Sequence, residues 1–459
     1  MSRDNILKPR NLGWPFLILV LLLFHANHPF NSDEGIVLSG AWNLINGRKL
    51  YIDFFEFVAP GSFYLVFWAW KIFGVSYFVA KSLAIIIFFL ILIGIYKISQ
   101  EISKDKLNIL PPLLFLLSSL YWPLINHNTF NIFFIVWATY FFLKGFSYNS
   151  GNNFTASGLF SGLAILFLQQ RGIVLLFSFA SFLLVLFLKE KKLFWLKANL
   201  YFILSSLLPL LAFLNWPLKI LWEDLIVFPS ANYMEVGKVP FSLLIIFLLV
   251  LYLMSWLFKE ERSKKIWLLF YLQFLLLLSN IPRADIYHLS LTLFPLYSIL
   301  PISFKKIIPL SPRAKKCYYL IIALIVLIII SRSRLIIYIN PFFHSQKDSK
   351  VISYINDNCQ DSKYIYAGPF IPGIYFETRR LNPSPYSFLI TNHHTKEQFL
   401  EAREAIKRHR PSCAVLNYGW ATKFNYDKNN PLDNYILDNY KLIFQDRGFL
   451  VYKISKALF

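Results

Sequence analysis

A chain of 459 residues that is 56% hydrophobic and only 15% charged is too apolar for an ordinary set of soluble domains. Its 46 Lys+Arg against 25 Asp+Glu give a net charge of +21, but the basic residues fall between long apolar runs. There they report topology, and the excess is not read as a nucleic-acid surface. The composition is that of a polytopic membrane protein, in which a helix needs roughly 18 or more apolar residues to cross about 30 Å of hydrocarbon.

Arg3, Lys8 and Arg10 precede the first apolar segment, 12–26, in the manner of a signal peptide. No small-x-small cleavage site follows at His25-Ala26-Asn27-His28, so a retained helix with its N-terminus inside is expected. The chain then enters a polar stretch, 31–60, that holds Asp33, Glu34, Asp53 and Glu56. In a chain so poor in acids, four carboxylates in one loop mark it as the candidate reactive surface. Within it, 36–45 carries Val37, Ala41, Leu44 and Ile45 at helical spacing and is closed by Asn46-Gly47. It is too short to span, which predicts a helix lying flat on the outer surface. The aromatic segment 61–73 is a second surface-lying or re-entrant candidate.

Further spans are expected at 76–96, 109–125, 131–146, 156–169, 172–188, 198–216, 241–258, 266–278, 286–301 and 318–338, about eleven in all. Basic clusters test this order independently. Lys97, Lys104 and Lys106, then Lys189, Lys191, Lys192 and Lys197, then Lys259, Arg262, Lys264 and Lys265 all fall in expected inner loops. The outer connections hold only isolated basic residues such as Arg48, Arg171 and Arg283. From about residue 340 the composition changes. Helices at 351–358 and 396–410 and strands at 363–366, 414–417 and 449–453 predict a small α/β domain on the outer side. The expected division is a membrane domain, 1–339, with its first outer loop at 27–75, and a C-terminal extracytoplasmic domain, 340–459. Cys317, Cys359 and Cys413 have no disulfide-framework or metal spacing. A Cys359–Cys413 pair is open in an oxidising compartment.

Charges near the outer surface are the candidates for chemistry. Asp33-Glu34 reads either as a capping pair behind Asn31 or as a base or metal ligand at the lipid boundary. Arg171, beside Gln169 and Gln170, reads as an interface-snorkelling arginine or as a phosphate-holding fork. The stretch Arg283-Ala284-Asp285-Ile286-Tyr287-His288 is either a turn with an Arg–Asp pair or part of an outer cavity. Gln170, His127, Tyr287, His288, Asp53 and Glu56 complete the candidate cavity residues. His25, His28, His127 and His288 lie near the same face, but no HxxxH or HExxH spacing supports a metal site.

These pieces resemble a known family. An N-terminal span, Asp-Glu, an amphipathic helix, NG(x)xLYxDFFE, a proline and an aromatic segment ending in FG look like the C-type (GT-C) membrane glycosyltransferases. The similarity is to bacterial members grouped with protein O-mannosyltransferases and the lipid A aminoarabinose transferase, glycosyltransferase family 39-like. Residues 158–172 resemble their GLxxLxKG segment, with Arg171 where lysine is common. Residues 283–295, RADIYHLSLTLFP, resemble RxxYxLxxxP, and VISYINDN, IYFETRRLNPSPYSFL, RPSCAVLN and NYKLIFQDRGFLVYK resemble their outer C-terminal domain.

The resemblance implies a bundle of about eleven transmembrane helices in the cytoplasmic membrane. It implies transfer of a hexosyl or pentosyl group from a polyprenyl-phosphate donor to a lipid, glycan or protein acceptor. Asp33 would be the catalytic acid of the first loop, with Glu34 beside it, and Arg171 and Arg283 would hold the carrier phosphate. Many relatives carry a second acid where this chain has Asn126-His127-Asn128-Thr129, which leaves a divalent metal (Mg, Mn or Zn) at Asp33 open. The competing reading is a lipid-linked sugar flippase or other transporter, which needs acids buried mid-span and broken helices.

Overall fold

The computed structural model describes residues 13–25, 32–120, 122–233, 241–307, 311, 312, 315, 316, 318–320, 323, 349–359 and 362–455. In chain order the helices are α1 (Gly13–His25), α2 (Ser32–Ile45), α3 (Gly61–Phe73), α4 (Tyr77–Ile102), α5 (Leu110–Ser119), α6 (His127–Tyr148), α7 (Gly151–Phe167), α8 (Gln169–Glu190) and α9 (Leu193–Leu210). They continue with α10 (Leu218–Trp222), α11 (Ser242–Trp256), α12 (Lys264–Leu278), α13 (Ile286–Thr292), α14 (Phe294–Ile307), α15 (Ser349–Asn358), α16 (Gly373–Glu377), α17 (Lys396–His409) and α18 (Pro431–Asn439). The strands are β1 (Tyr366–Pro369), β2 (Cys413–Asn417), β3 (Tyr440–Asp446) and β4 (Phe449–Ile454). Contacts divide the chain into two compact units. The bundle unit takes 1–27, 81–214 and 239–342; the mixed unit takes 28–80, 215–238 and 343–459.

In the bundle unit, apolar length sets the helices. Among the described residues four are long and apolar enough to cross a membrane: α4, α6, α8 and 193–215, which is α9 with its short continuation. The pair α13–α14, bent by 62°, makes a fifth when taken as one span. The chain is thus a multi-pass membrane protein, but a count of eleven spans is not established. Segment 106–119 and α11 are apolar but shorter, and most of 318–338 lies outside the described residues. The bend at Leu293 has a local cause. Pro295 cannot donate a backbone hydrogen bond, and the Leu296 N–H is taken instead by the buried Gln273 side chain on α12, at 3.0 Å. A polar side chain thereby satisfies backbone that the break releases in an apolar surrounding.

Cross-helix contacts define two ends of this unit. At one end Lys265 bonds Glu101 at 3.2 Å and Ser147 at 2.5 Å, Lys264 bonds Glu190 at 2.5 Å, and Lys305 bonds Asp105 at 2.6 Å. Lys306 meets Glu261 at 3.0 Å. The loops that the charge pattern assigns to one side therefore touch one another. At the other end the starts of α6 and α8 meet the residues between α12 and α13. The reversal from α7 to α8 is carried by Leu168 alone. It needs Gly172, because a Cβ there would strike the backbone of Ile165 and Ala164.

The mixed unit is built on a four-stranded sheet of order β1-β2-β4-β3, parallel between β1 and β2 and antiparallel elsewhere. Alternation along β2 sends Cys413 and Val415 to one face, with Val351 and Ile355 of α15. Ala414 and Leu416 face the other way, with Phe399, Ala402 and Ile406 of α17 and Leu432 and Ile436 of α18. Cys359 and Cys413 are joined by a disulfide. Helix α17 starts at a Thr395–Gln398 capping box, which sets its beginning at the expected residue 396. β1 begins three residues later than 363–366, and β3 is an additional strand, joined to β4 by an Arg447-Gly448 turn with positive φ at both residues.

The first loop belongs to this unit. Helix α2 starts four residues earlier than 36–45, and Asp33 and Glu34 are in its first turn. Its apolar face packs inward: Val37, Leu38, Ala41 and Leu44 are buried, together with Ser39, Gly40 and Asn43. A Cβ on Gly35 would stand 2.6 Å from the Gly373 nitrogen, so a small residue there lets α2 and α16 touch. Asn31 lies outside the described residues. Helix α3 keeps Trp68, Ile72 and Phe73 exposed, as a surface-lying helix does.

Candidate functional site

The chemistry-bearing side chains form two groups, one in each unit. In the bundle unit the centre is Arg171, which is 1% exposed in the first turn of α8. Its Nη1 donates to Asn128 Oδ1 at 2.9 Å and its Nη2 to Asn280 Oδ1 at 2.7 Å. Both partners are fixed in turn. Asn128 donates to Asn126 Oδ1 at 2.9 Å, and Asn280 donates to Leu276 O at 2.8 Å and Thr292 Oγ1 at 3.1 Å. This is not a guanidinium snorkelling to an interface; it is buried, and two amide oxygens are among the groups that hold it.

His127, half-buried at the start of α6, lies within electrostatic reach of Arg171 and His288. His288 is likewise coupled to Arg283 and Arg171. The carboxylate of Asp285 is shared. It caps α13 by accepting the His288 N–H at 3.0 Å, meets His288 Nδ1 at 2.8 Å and accepts from Arg283 Nε at 3.2 Å. Arg283 thus makes the local turn pair that its sequence allowed. The rings of His288 and Tyr287 stand 4.9 and 6.4 Å from Trp122. Gln170 is exposed. Two arginines, two histidines and one carboxylate meet at this end of the bundle, a set of N–H donors that can hold an anion.

The mixed unit holds the acids. Glu34 is fully buried and accepts the Tyr77 hydroxyl at 2.7 Å. Asp33 next to it is only half-buried. Asp53 is exposed, and its Oδ2 accepts the Lys49 N–H at 2.7 Å, which closes a turn. Glu56 is 1% exposed and accepts the Ser387 hydroxyl at 2.9 Å. Burial pushes its carboxyl up to about 8 against the pull of Ser387, and the charge of Asp224 adds to the rise. Asp224, in the π-helical turn Glu223–Val227, is itself pushed up to about 7, first by burial and then by Glu223. Phe228 packs edge-on against Phe55, with ring centres 4.8 Å apart, and lies 5.7 Å from both His393 and His394.

Asn128, Asn280 and Ser387 are parts of these groups that the sequence did not single out. Asn128 lies in the very loop where a second acid was sought; Asn280 had no local signal. Among the described residues no three His, Cys, Asp or Glu side chains converge as metal ligands. His28 lies outside the described residues, and His127 and His288 belong to the Arg171 group. A divalent ion at Asp33 would therefore depend on water and substrate oxygens for most of its shell, as magnesium sites often do.

No family model and no curated protein matches the sequence. In three dimensions the chain is similar to ArnT from Cupriavidus metallidurans bound to undecaprenyl phosphate, with a TM-score of 0.62 at 11% identity over 98% of this chain and 99% of that one. It is similar to the apo oligosaccharyltransferase of Archaeoglobus fulgidus, with a TM-score of 0.56 at 13% identity over 99% of this chain and 75% of that one. It is also similar to the mycobacterial arabinofuranosyltransferase AftD, with a TM-score of 0.52 at 12% identity over 99% of this chain and 40% of that one. Identities this low speak for the fold, and the fold is that of the C-type membrane glycosyltransferases.

Proposed function

We propose that this chain is a membrane glycosyltransferase that takes a sugar from a polyprenyl-phosphate carrier and places it on a lipid, glycan or protein acceptor at the outer face of the cytoplasmic membrane. The observation that carries the reading is a buried arginine, Arg171, fixed by Asn128 and Asn280 in a fold shared with a protein bound to undecaprenyl phosphate. A donor of this type is already activated. The protein must orient it, stabilise the departing phosphate and deprotonate the acceptor. Arg171 serves the phosphate, with Arg283 as the outer member of its group. Asp33 is the general base because it remains accessible, whereas Glu34, buried and bonded to Tyr77, positions the start of α2. A divalent ion, where one takes part, would be held at Asp33 and supply Lewis-acid chemistry. The disulfide supports an oxidising, extracytoplasmic side for the C-terminal part of the chain.

The test is Asp33→Asn in purified full-length protein. Sugar transfer should fall by about 10²–10⁴-fold, the contribution of a positioned base, with elution profile and melting midpoint unchanged. Retained turnover in a folded Asp33→Asn protein removes Asp33 from the mechanism.

A further inference from the structure

The lysine-rich end of the bundle unit carries a cavity of about 390 Å³ that the proposed transfer does not use. Phe146, Asn149, Lys192, Phe194, Trp195 and Lys264 line it. Lys264 is held with its ammonium 4.5 Å over the Trp195 ring and 2.5 Å from Glu190 Oε1. Trp195 Nε1 donates to Glu190 Oε2 at 3.0 Å, and Lys192 lies 3.4 Å from the same oxygen. One carboxylate therefore orders two ammonium groups and an indole and leaves one positive charge over. Three aromatic side chains supply an apolar wall, and Lys144, Lys189, Lys191 and Lys197 lie close to the lining residues in sequence.

We infer that this cavity binds the phosphate headgroup of an anionic phospholipid in the leaflet next to the lysine-rich end. The shared chemistry is a phosphate mono- or diester, which a soluble phosphate also offers. The surroundings favour the lipid. Helix α9, which starts at the cavity, exposes Leu196, Leu200, Leu204 and Leu207 along its length, a face on which acyl chains can lie. Basic pockets between membrane helices are suited to such headgroups. The site needs no sugar donor and stands whether or not the chain is a transferase.

The experiment is native mass spectrometry of the full-length protein delipidated in detergent. It is titrated with phosphatidylglycerol, with phosphatidylcholine, and with inorganic phosphate as competitor. Phosphatidylglycerol should be retained in preference to phosphatidylcholine and should resist millimolar phosphate. In the double variant Lys192→Gln/Lys264→Gln its affinity should fall about thirtyfold, taking a contribution of ~1 kcal/mol per lysine. Glu190→Gln should act in the opposite direction and tighten binding about fivefold, because it removes the competing carboxylate. This second variant keeps the test decisive should the double variant fold poorly. Equal retention of both lipids, displacement by inorganic phosphate, or no change in Glu190→Gln would overturn the assignment.

Discussion

The two units treat carboxylates in opposite ways. At the lysine-rich end of the bundle unit Glu101, Asp105, Glu190 and Glu261 each meet a lysine from another element. The Lys306 hydrogen bond holds Glu261 below the usual carboxylate range, and the Leu107 N–H and Lys305 do the same for Asp105. In the mixed unit two buried acids are met by hydroxyls: Glu56 by Ser387 and Asp433 by Tyr426. A hydroxyl does not offset burial as a cation does, so Glu56 rises to about 8 and Asp433 to about 6. Lysines fasten the acids at these helix ends of the bundle unit. Glu56 and Asp433 exchange protons nearer neutral pH than a free carboxyl does, towards the range in which acid–base chemistry operates.

The largest effect is expected at Arg171. Arg171→Ala should lower kcat/KM for the donor by about 10²–10³-fold while the acceptor KM changes little; Arg171→Lys should recover part of the loss. A donor titration that shows equal weakening for both substrates would place Arg171 in the frame of the bundle and not at the phosphate. Next is the disulfide. Its loop of 54 residues predicts a loss of about 4 kcal/mol in the mixed unit for Cys359→Ser/Cys413→Ser. Calorimetry, with reduced wild type as the parallel sample, should show the same lowered midpoint in both.

Glu56 sharpens the comparison through pH. Its pKa when folded, about 8, lies above the ordinary value of 4.5, so the folded state holds this proton more tightly. That contribution is fully present below about pH 4.5 and is lost as pH rises towards 8. Glu56→Gln keeps an acceptor for Ser387 without the charge. It should melt like wild type at pH 5 and be more stable at pH 8, by on the order of 1–3 kcal/mol. Parallel melting curves across that range would contradict the hydroxyl-held reading. The smallest effect belongs to the clamped acids. Glu101→Gln should cost about 1 kcal/mol or less, with a salt dependence that Glu56→Gln lacks.

Much of the frame is legible in local sequence. Apolar runs mark α4, α6 and α8, and lysine clusters mark loops that do touch one another. Asn46-Gly47 ends α2 with Gly47 at φ 79°. What local pattern misses is long-range. Arg171 reaches Asn280 across 109 positions, and Glu56 reaches Ser387 across 331. Helix α2 reads as an amphipathic surface helix because its partners, Gly373 and Arg380, come from the far end of the chain. β3 carries the burial pattern of a largely exposed edge strand, with little apolar alternation to find. The acids of the first loop were visible because they are rare; their protonation behaviour was not, because it depends on what covers them.

Sugar transfer is tested most directly by incubating purified protein with a panel of polyprenyl-phosphate sugars and following free polyprenyl phosphate and the glycosylated acceptor together. One donor should yield the two products in equal amounts, and Arg171→Ala should lose that yield while remaining folded. Sugar lipid that crosses the membrane with its phosphate–sugar bond intact, and no release from any donor, would contradict a transferase and favour a flippase.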